Sequence, residues 1–576
     1  MKFQEVVSVF VTIEKVTSRN QIMELLADLF HKATPDEAQM ITYLSIGQVR
    51  PTYLGSQFNS AEKTIKKVIQ EITQLSDADL AHQIKKYGDL GTLLSVQAWQ
   101  PHEHLTLKHV FDALVELQTI TGEGSHDTRA QFLTTLLRRL SPAGAGFVVR
   151  IILGKLRTGF SDMTIIDAFS WMLVGNKSMS KQIEHAYNMC ADLGLIAYKL
   201  KKDGQEALKE ISITLGIPIL PSLAERLPTA SEIVDKLGTC AAQPKLDGFR
   251  LQVHIKKNRE VHFYSRNLID MSPMFPELTQ AAQKLRVKDA IFEGEAIVFD
   301  ESTGAFLPFQ ETVKRKRKHD IAQVAQEFPL KLFVFDLLYL NGESMLNKEH
   351  ETRRKQALTF LSTDHTETIS LIDERVVTTA AGLEDYFLEC IEEGLEGLVV
   401  KKMNAQYQPG KRNFNWIKLK RTQESGTLTD TIDAVILGYY YGRGRRAALG
   451  IGAFLIGVYD KKKDRFETIA KVGTGLSDQG FRDIKKLCDA MQVEHKPFNV
   501  VCAKELFPDV WVAPELVWVV IADEITRSPL HTAGKTEHEL GYALRFPRAL
   551  EQRFDKQPDQ ATTVQEIKEM FAAIRH

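Results

Sequence analysis

The hydrophobic periodicity of the sequence changes once, at the proline-containing segment Ile217-Pro-Ile-Leu-Pro-Ser222. Before this segment, apolar residues recur at spacings of three and four, which predicts amphipathic helices. After it, short segments alternate between apolar and polar residues, which predicts half-buried strands. Because the two prolines interrupt both patterns, we interpret residues 217–222 as a linker. The chain must therefore combine an all-helical region with regions that contain β-sheet.

The pattern divides the chain into three expected domains, since 576 residues are too many for one hydrophobic core. Residues 1–222 should form an all-α domain, with helical segments such as FQEVVSVFVTIEKV and KQIEHAYNMCADLGLIAYKL. Residues 223–425 mix predicted strands (RLQVHI, EVHFYS, AIFEGEAIVF, LKLFVFDLLYL) with helices, which is typical of an α+β domain. Residues 426–576 show short strands between turns, which indicates an all-β barrel.

Composition excludes several classes of protein. The formal net charge is −1, so any binding of nucleic acid must depend on local basic patches. The five cysteines form no Cys-x-x-Cys pair, which excludes a zinc ribbon and fits a reducing compartment. The N-terminal segment reads as a first helix rather than a signal peptide, and no apolar run is long enough to span a membrane. We therefore expect a cytoplasmic protein.

The segment Gln243-Pro-Lys-Leu-Asp-Gly-Phe-Arg250 carries the most specific chemical pattern. Lys245 lies beside Asp247 and Arg250, directly before a predicted strand. A lysine becomes a nucleophile when neighbouring groups and burial favour its neutral amine. The alternative is a lysine in a β-hairpin that forms a salt bridge with Asp247. The sequence around Lys245 alone does not decide between these two interpretations.

Carboxylates and cations recur in the same region. Glu293 and Glu295 lie on one face of a predicted strand, where two like charges are costly unless a cation or a hydroxyl pair shares them. Glu396 begins another apolar strand. Lys418 and Lys420 share one face of a third strand, and two adjacent ammonium groups favour a polyanion between them. The alternative for each group is a solvated strand face.

An aromatic side chain completes the set. Phe335 lies in an apolar predicted strand, where it is either a core residue or a platform for a nucleobase. Together these groups predict a nucleotide-handling site in the middle domain. The simplest reaction is attack of Lys245 on the α-phosphate of a nucleoside triphosphate, with pyrophosphate as the leaving group. Mg²⁺ (or Mn²⁺) and the clustered cations would neutralise the developing charge.

The order of these motifs resembles the covalent nucleotidyltransferases, and specifically the ATP-dependent DNA ligases of the archaeal and eukaryotic replicative type. The resemblance covers essentially the whole chain. The matching stretches are Lys245-Leu-Asp-Gly-Phe-Arg250, Tyr264-Ser-Arg266, Glu293-Gly-Glu295, Phe333-Val-Phe-Asp-Leu-Leu-Tyr-Leu-Asn-Gly342, Glu396-Gly-Leu-Val-Val-Lys401, Trp416-Ile-Lys-Leu-Lys420 and Arg545-Phe-Pro-Arg548 with Arg553-Phe-Asp-Lys556. The resemblance implies a helical DNA-binding domain, an ATP-grasp-like nucleotidyltransferase domain and an OB-fold domain.

The resemblance also implies a role for each matching residue. Lys245 becomes adenylated, and Asp247 assists the later sealing step. Phe335 stacks on the adenine, and Gln243 stands where the family commonly has a glutamate that accepts from the adenine amino group. The residues expected at the ribose and phosphates are Arg250, Arg266, Glu295, Arg412, Lys418, Lys420, Arg548, Asp555 and Lys556. Glu295 and Glu396 are the expected metal ligands.

The implied substrate is nicked double-stranded DNA, in replication, repair or recombination, and the expected state is a monomer. A sliding clamp is a further candidate partner, although Gln131-Phe-Leu-Thr-Thr-Leu-Leu137 lacks the paired aromatic end of such peptides. The glycine-containing segments 122–126 and 154–160 could bind phosphate, with Lys155 and Arg157 adding charge, or could be ordinary turns. The basic run Lys314-Arg-Lys-Arg-Lys318 is expected to face DNA or solvent, with a nuclear localisation signal as the alternative.

Three other functions are compatible with the lysine motif. An RNA ligase and a GTP-dependent capping enzyme share it, but the helical domain of some 220 residues argues against both. An NAD⁺-dependent ligase is not among them, because it would be expected to carry a four-cysteine zinc site and this sequence has no Cys-x-x-Cys pair. A non-catalytic nick-binding protein is a third alternative, which the intact set of charges argues against, since unused charges in a partly buried site are costly.

Overall fold

The computed structural model describes residues 1–55, 58, 62–99, 104–122, 124–154, 156, 161–300, 305–306, 312, 314–315, 321–362, 367–393, 395–420, 431–442 and 449–573. Contacts divide the chain into two compact units, residues 1–420 and 421–576. The first unit contains both the helical region and the mixed region that follows it. No described helix combines the length and the apolar character needed to cross a bilayer. All five cysteines are free thiols.

Helices fill the region before the linker, as predicted. They are α1 Phe3–Ile13, α2 Arg19–Lys32, α3 Pro35–Ser45, α4 Glu62–Thr73, α5 Asp77–Tyr87, α6 Leu90–Ser95, α7 Leu107–Thr119, α8 Ser125–Arg138, α9 Pro142–Ile152, α10 Asp162–Val174, α11 Ser180–Met189, α12 Leu193–Asp203 and α13 Ala207–Glu210. Their apolar faces meet in one core that extends from Phe3 to Ile211.

The predicted helical segment KQIEHAYNMCADLGLIAYKL forms two helices, α11 and α12, with a break between them that its spacing does not predict. Asp192 caps α12 and accepts a hydrogen bond from the Leu195 N–H at 2.9 Å. Its carboxylate also accepts from the Tyr43 and Tyr53 hydroxyls, each at 2.8 Å. A buried carboxylate needs such partners, and only a helix terminus supplies the backbone donor. Hydrophobic spacing does not reveal this break.

Two sheets form the mixed region. Its elements are β1 Leu223–Arg226, α14 Ala230–Leu237, β2 Cys240–Pro244, β3 Phe249–Ile255, β4 Val261–Ser265, α15 Pro276–Lys284, β5 Ala290–Asp300, β6 Ala305–Phe306, α16 Ile321–Glu327, β7 Leu330–Leu340, β8 Glu343–Ser344, α17 His350–Ser362, β9 Ile369–Leu371, β10 Arg375–Val377, α18 Ala380–Glu392, β11 Gly397–Lys402 and β12 Arg412–Lys420. The five-stranded sheet has the order β1-β12-β11-β2-β10. The seven-stranded sheet has the order β4-β3-β5-β7-β8, with β6 on β5 and β9 on β7.

The second unit is rich in β-structure. Its elements are β13 Ile432–Tyr440, β14 Ala453–Asp460, β15 Arg465–Val472, α19 Asp478–Ala490, β16 Gln492–Val493, β17 Val500–Val501, β18 Val510–Val512, β19 Val517–Ile521, β20 Glu524–Ser528, β21 Gly541–Arg545, β22 Arg548–Gln552 and α20 Val564–Ala573. The described part of the expected all-β region therefore also contains two α-helices, whose apolar residues Phe481, Ile484 and Ile567 pack into the core of its sheet. Strand β13 is central, since it pairs with β14, β18 and β19.

Candidate active site

Lys245 lies where the chain passes from one sheet to the other. Its N–H donates to the Gly397 carbonyl at 2.8 Å, and its own carbonyl accepts from the Glu396 N–H at 3.2 Å, which extends the pairing of β2 with β11. The next strand, β3, belongs to the seven-stranded sheet. The hairpin interpretation of Lys245 is therefore wrong. Gly248 is required by a close approach, because a Cβ there would lie 2.3 Å from the carbonyl oxygen of Ala296.

One face of the five-stranded sheet carries the polar residues of the motifs. In its register Gln243 pairs with Val399, and Val399 pairs with Lys418. Leu398, Val400 and their neighbours on adjacent strands point into the apolar core on the other face. Because side chains alternate along a strand, the opposite face holds a second set. That set consists of Gln243, Lys245, Val399, Lys401, Trp416, Lys418 and Lys420.

Glu396 connects Lys245 to Lys420. The Lys245 ammonium contacts the Glu396 carboxylate, and the Lys420 ammonium lies 2.9 Å from the same oxygen. Although burial opposes ionisation, these two cations hold the pKa of Glu396 below its usual value. Burial, with Arg412 and Lys420 nearby, lowers the pKa of Lys418. This side of the site is therefore cationic and suits phosphate.

The seven-stranded sheet contributes an arginine and two glutamates. The Arg250 guanidinium donates to Glu293 at 2.8 Å and lies 5.3 Å from the Phe335 ring centroid. The Tyr407 hydroxyl also donates to Glu293, at 2.8 Å. Glu295 accepts from the Gly248 N–H at 3.2 Å, and burial raises its pKa to about 7 against the charges of Lys245 and Arg250. Only one of the two predicted glutamates is thus paired directly with a cation.

Phe335 lies between the two sheets. Its ring is only partly buried and meets Trp416 edge to face, with centroids 6.0 Å apart. The buried Lys401 ammonium donates to the Phe335 carbonyl at 2.6 Å and lies 3.4 Å from Asp336. Burial lowers the pKa of Lys401 to about 8. Phe335 is therefore a partly buried aromatic residue beside two cationic side chains, and its stacking on a nucleobase stays a prediction.

Asp336 pairs with both Lys401 and Arg353. Arg353 chelates its carboxylate at 2.7 and 3.1 Å. Although burial opposes ionisation, Arg353 and Lys401 hold the pKa of Asp336 well below its usual range. The same guanidinium donates to the carbonyls of Lys348 and Ala405. Local sequence patterns do not predict this buried pair, because its members are 17 residues apart on different elements.

Two further residues line the site without a predicted role. The Gln243 amide nitrogen donates to Glu374 at 2.6 Å, so that a glutamate outside the motifs faces a predicted adenine contact. Tyr407 supports Glu293. Neither Glu374 nor Tyr407 lies in a recognisable motif. The pairing of β10 with β2 places Glu374, and the connection between β11 and β12 places Tyr407. Of the remaining predicted residues, Arg266 and Arg412 are exposed and Asp247 is half-buried.

In the second unit, the predicted pyrophosphate residues form ion pairs. Arg548 lies 2.8 Å from Asp523, and Lys556 lies 2.6 Å from Asp433. Asp555 accepts from the Arg553 guanidinium at 2.8 Å. The motif cations of this unit are therefore held by carboxylates of the same unit.

The other predicted basic segments have mixed outcomes. Lys155, Arg157 and the stretch 316–318 lie outside the described residues. Arg315 does not face solvent as expected, because it is almost completely buried. Its guanidinium contacts Glu277 and donates to the Met274 carbonyl at 3.3 Å. A guanidinium can enter the interior where such partners are available, and the basic run gives no sign of them.

Comparison with known proteins identifies the class and the family of this chain. The chain matches the models described as "ATP dependent DNA ligase domain" (residues 221–420), "DNA ligase N terminus" (2–170) and "ATP dependent DNA ligase C terminal region" (447–556). It is 45% identical over 573 residues to a probable DNA ligase of Dictyoglomus turgidum, with 99% of this chain and 97% of the relative covered.

More distant relatives belong to the same family or have the same fold. A DNA ligase of Pyrobaculum islandicum is 37% identical over 586 residues, which cover 99% of this chain and 98% of the relative. A solved structure titled "Pmar-Lig_PreS3" has the same fold, with a TM-score of 0.58 at 16% identity over 95% of this chain and 99% of that one. The chain belongs to the ATP-dependent DNA ligase family and is an enzyme of the ligase class. That membership favours DNA ligation over RNA ligation, capping or a non-catalytic role.

Proposed function

We propose that this ligase seals nicks in duplex DNA with Lys245 as its nucleophile. The observation that carries the proposal is the position of Lys245, whose ammonium contacts Glu396 at the junction of two sheets. Cations of the five-stranded sheet lie on one side of this point. Arg250 and Glu295 of the seven-stranded sheet lie on the other. A nucleoside triphosphate bound between the sheets would present its α-phosphate to the lysine.

The first step transfers AMP to the enzyme. The Lys245 ammonium first releases a proton to solvent. The free amine Nζ then forms a bond to the α-phosphorus and loses a second proton, while the bond to the bridging oxygen of the β-phosphate breaks and pyrophosphate leaves. We assign Phe335 to stacking on the adenine and Gln243 to its amino group. Arg250, Arg266, Arg412, Lys418 and Lys420 are assigned to the ribose and phosphates. Phosphoryl transfer depends mainly on such positioning and charge neutralisation.

Mg²⁺ is the metal that we assign to this step, with Glu295 and Glu396 as its protein ligands. Within the described residues, no group of three or more metal-binding side chains occurs. Two carboxylates nevertheless fit Mg²⁺, which is usually held by one or two carboxylates together with substrate phosphates. When bound, the metal would neutralise charge on the phosphates. The positive charge of Lys245 favours the ionised form of both carboxylates. Adenylation of Lys245 would remove that charge.

The later steps use the stored AMP. The 5′-phosphate of a nick attacks the lysyl-AMP phosphorus and releases Lys245. The 3′-hydroxyl then attacks the activated 5′-phosphate and releases AMP, a step in which we assign Asp247 a supporting role. Arg548, Asp555 and Lys556 are assigned to orienting pyrophosphate in the first step only. All three belong to the second unit, where ion pairs order Arg548 and Lys556.

We further assign the domains of the family to this chain. Residues 1–222 would bind duplex DNA, residues 223–425 would hold the nucleotide, and residues 426–576 would form an OB-fold around β13 to β15. A pairing of β13 with three other strands supports a curled barrel-like sheet. Binding to DNA phosphates makes a strong decrease in affinity with rising salt an expected property. The enzyme is expected to act as a monomer.

The proposal is tested by incubation with ATP or GTP labelled at the α-phosphate, with Mg²⁺. Labelled protein is then detected on a gel, and acid treatment should release the label. We expect a labelled band with ATP for the native enzyme and none for Lys245→Ala. A band with GTP alone would favour capping, and the absence of any band would refute the lysyl-AMP step. Sealing of a nicked DNA duplex, but not of a nicked RNA duplex, then identifies the substrate.

A further inference from the structure

Glu374 faces Gln243 across two strands. The antiparallel pairing of β10 with β2 sets Arg375 opposite Ala242, and one step further it sets Glu374 opposite Gln243. Directly opposed side chains lie on the same face of a sheet. This face is the one that carries Lys245. The Gln243 amide nitrogen lies 2.6 Å from Glu374 Oε2, and both side chains are at least nine-tenths buried.

The neighbours of Glu374 keep it negatively charged. His350 Nε2 lies 2.9 Å from the same carboxylate oxygen, and Arg354 lies 3.7 Å from the other. Although burial opposes ionisation, His350 and Arg354 hold the pKa of Glu374 below its usual value. An ionised carboxylate only accepts hydrogen bonds. The NH₂ group of Gln243 must therefore face Glu374.

This constraint also determines the direction of the Gln243 carbonyl. An amide group has its donors on one side and its acceptor on the other, so the carbonyl points away from Glu374. In the part of the chain that the structure describes, the carbonyl oxygen of Gln243 has no hydrogen-bond donor. It remains available to a ligand on the face that carries Lys245. An isolated glutamine could turn over and present its NH₂ group instead.

We propose that Glu374 is a positioning residue that determines nucleobase specificity. It fixes the Gln243 amide so that the carbonyl accepts a hydrogen bond from the 6-amino group of adenine and repels the 6-oxo group of guanine. The inference rests on the proposed function, because it takes the base to bind beside Lys245. Glu374 would thus act on the base through Gln243, which occupies the position where the resemblance implies a glutamate.

The first test is the isosteric substitution Glu374→Gln. The two amides can then pair in either orientation, so the Gln243 NH₂ group can face the base. We expect the ratio of lysyl-nucleotide formation with ATP to that with GTP to fall by about tenfold or more, since a reversed buried donor removes most discrimination. The matched control is Glu389→Gln on the nearby α18, which removes a carboxylate that pairs with Arg375 of β10. It should leave the ratio unchanged.

The exchange Gln243→Glu with Glu374→Gln gives a second test. Alone, Gln243→Glu places two carboxylates in contact and should weaken ATP use. The double variant again pairs one carboxylate with one amide and again presents an acceptor to the base. We expect its ATP-to-GTP ratio to return to within about threefold of the native value, a coupling that two independent sites would not show. If Glu374 had a purely structural role, its substitution would lower lysyl-nucleotide formation with ATP and with GTP by the same factor.

Equilibrium binding separates this inference from the proposed function. ATP, GTP and purine riboside triphosphate, which lacks the 6-amino group, are titrated onto Lys245→Ala protein with and without Glu374→Gln. If the native enzyme forms no lysyl-nucleotide but Glu374→Gln still reduces the preference for ATP in binding, the proposed function fails and the inference stands. If folded Glu374→Gln protein keeps the native preference in both labelling and binding, the inference is overturned.

Discussion

The guanidinium of Arg250 donates a hydrogen bond to the main-chain carbonyl of Ser222 at 2.8 Å. The same side chain is expected to contact the nucleotide, whereas Ser222 ends the linker from the helical region. The Ser222 N–H in turn donates to the Tyr407 hydroxyl at 2.8 Å. Arg250 and Tyr407 both donate to Glu293. One hydrogen-bond network therefore joins the linker to the nucleotide site.

Arg250→Lys should uncouple this network, because an ammonium group cannot reproduce the fork that reaches both Glu293 and Ser222. We expect lysyl-AMP formation to fall by about tenfold or more, which matches the loss of a charged hydrogen bond to a buried partner. Hydrogen exchange at the amides of Ile219 and Ser222 should become faster. The exposed Arg19→Lys, on α2, is the control. Native exchange rates in Arg250→Lys would contradict the coupling.

His254 should make the segment just before the linker sensitive to acid. Its Nδ1 accepts from the Gly216 N–H at 3.1 Å, and burial lowers its pKa to about 3 from a usual value of 6.5. Below pH 6.5 the unfolded chain binds a proton that the folded chain does not, so stability is lost as the pH falls from about 6.5 towards 3. We expect His254→Gln to lose part of this pH dependence in thermal unfolding between pH 7.5 and pH 4.5. An unchanged pH profile would refute the assignment to His254.

Glu295 should make the stability of the folded protein depend on pH in the opposite direction. Burial raises its pKa to about 7 from 4.5, so the folded chain holds the proton more tightly and stability falls as the pH rises through that interval. Glu295→Gln removes the cost of the buried charge and keeps an acceptor for the Gly248 N–H. We expect the free energy of unfolding of the variant without nucleotide to exceed the native value by about 3 kcal/mol at pH 8 and to match it near pH 4. Equal stability at pH 8 would contradict this account.

Asp433→Asn should act on one step of the reaction only. Asp433 holds Lys556 at 2.6 Å and Arg553 at 3.2 Å. Without this charge the two cations lose their anchor, and we expect lysyl-AMP formation to fall by about tenfold. Sealing of a nick that already carries AMP should stay within about twofold of native, because pyrophosphate has then left. The exposed Asp483→Asn is the control. Equal losses in both assays would contradict a role limited to the first step.

The local patterns of the sequence predicted most of the secondary-structure elements. Alternation predicted β3, β4, β5 and β7, and the ordered motifs around Lys245 indicated the family that the comparisons then confirmed. The helical break at Asp192 and the two helices of the second unit were missed. Asp192 breaks a helix because of its tyrosine partners, which lie more than 130 residues away in the sequence. A periodic pattern contains no such information.

The sequence by itself determined which side chains are available: a lysine in a glycine-containing motif, carboxylates and cations at alternating positions, and a linker marked by two prolines. These features are local, because periodicity and motif spacing depend on neighbours along the chain. Only the tertiary structure decided that Lys245 connects two sheets, that Glu374 faces Gln243 and that Arg250 binds the linker at Ser222. Those relationships depend on strand register and on the packing of one sheet against the other. Residues 131 positions apart, such as Gln243 and Glu374, meet only when that register is formed.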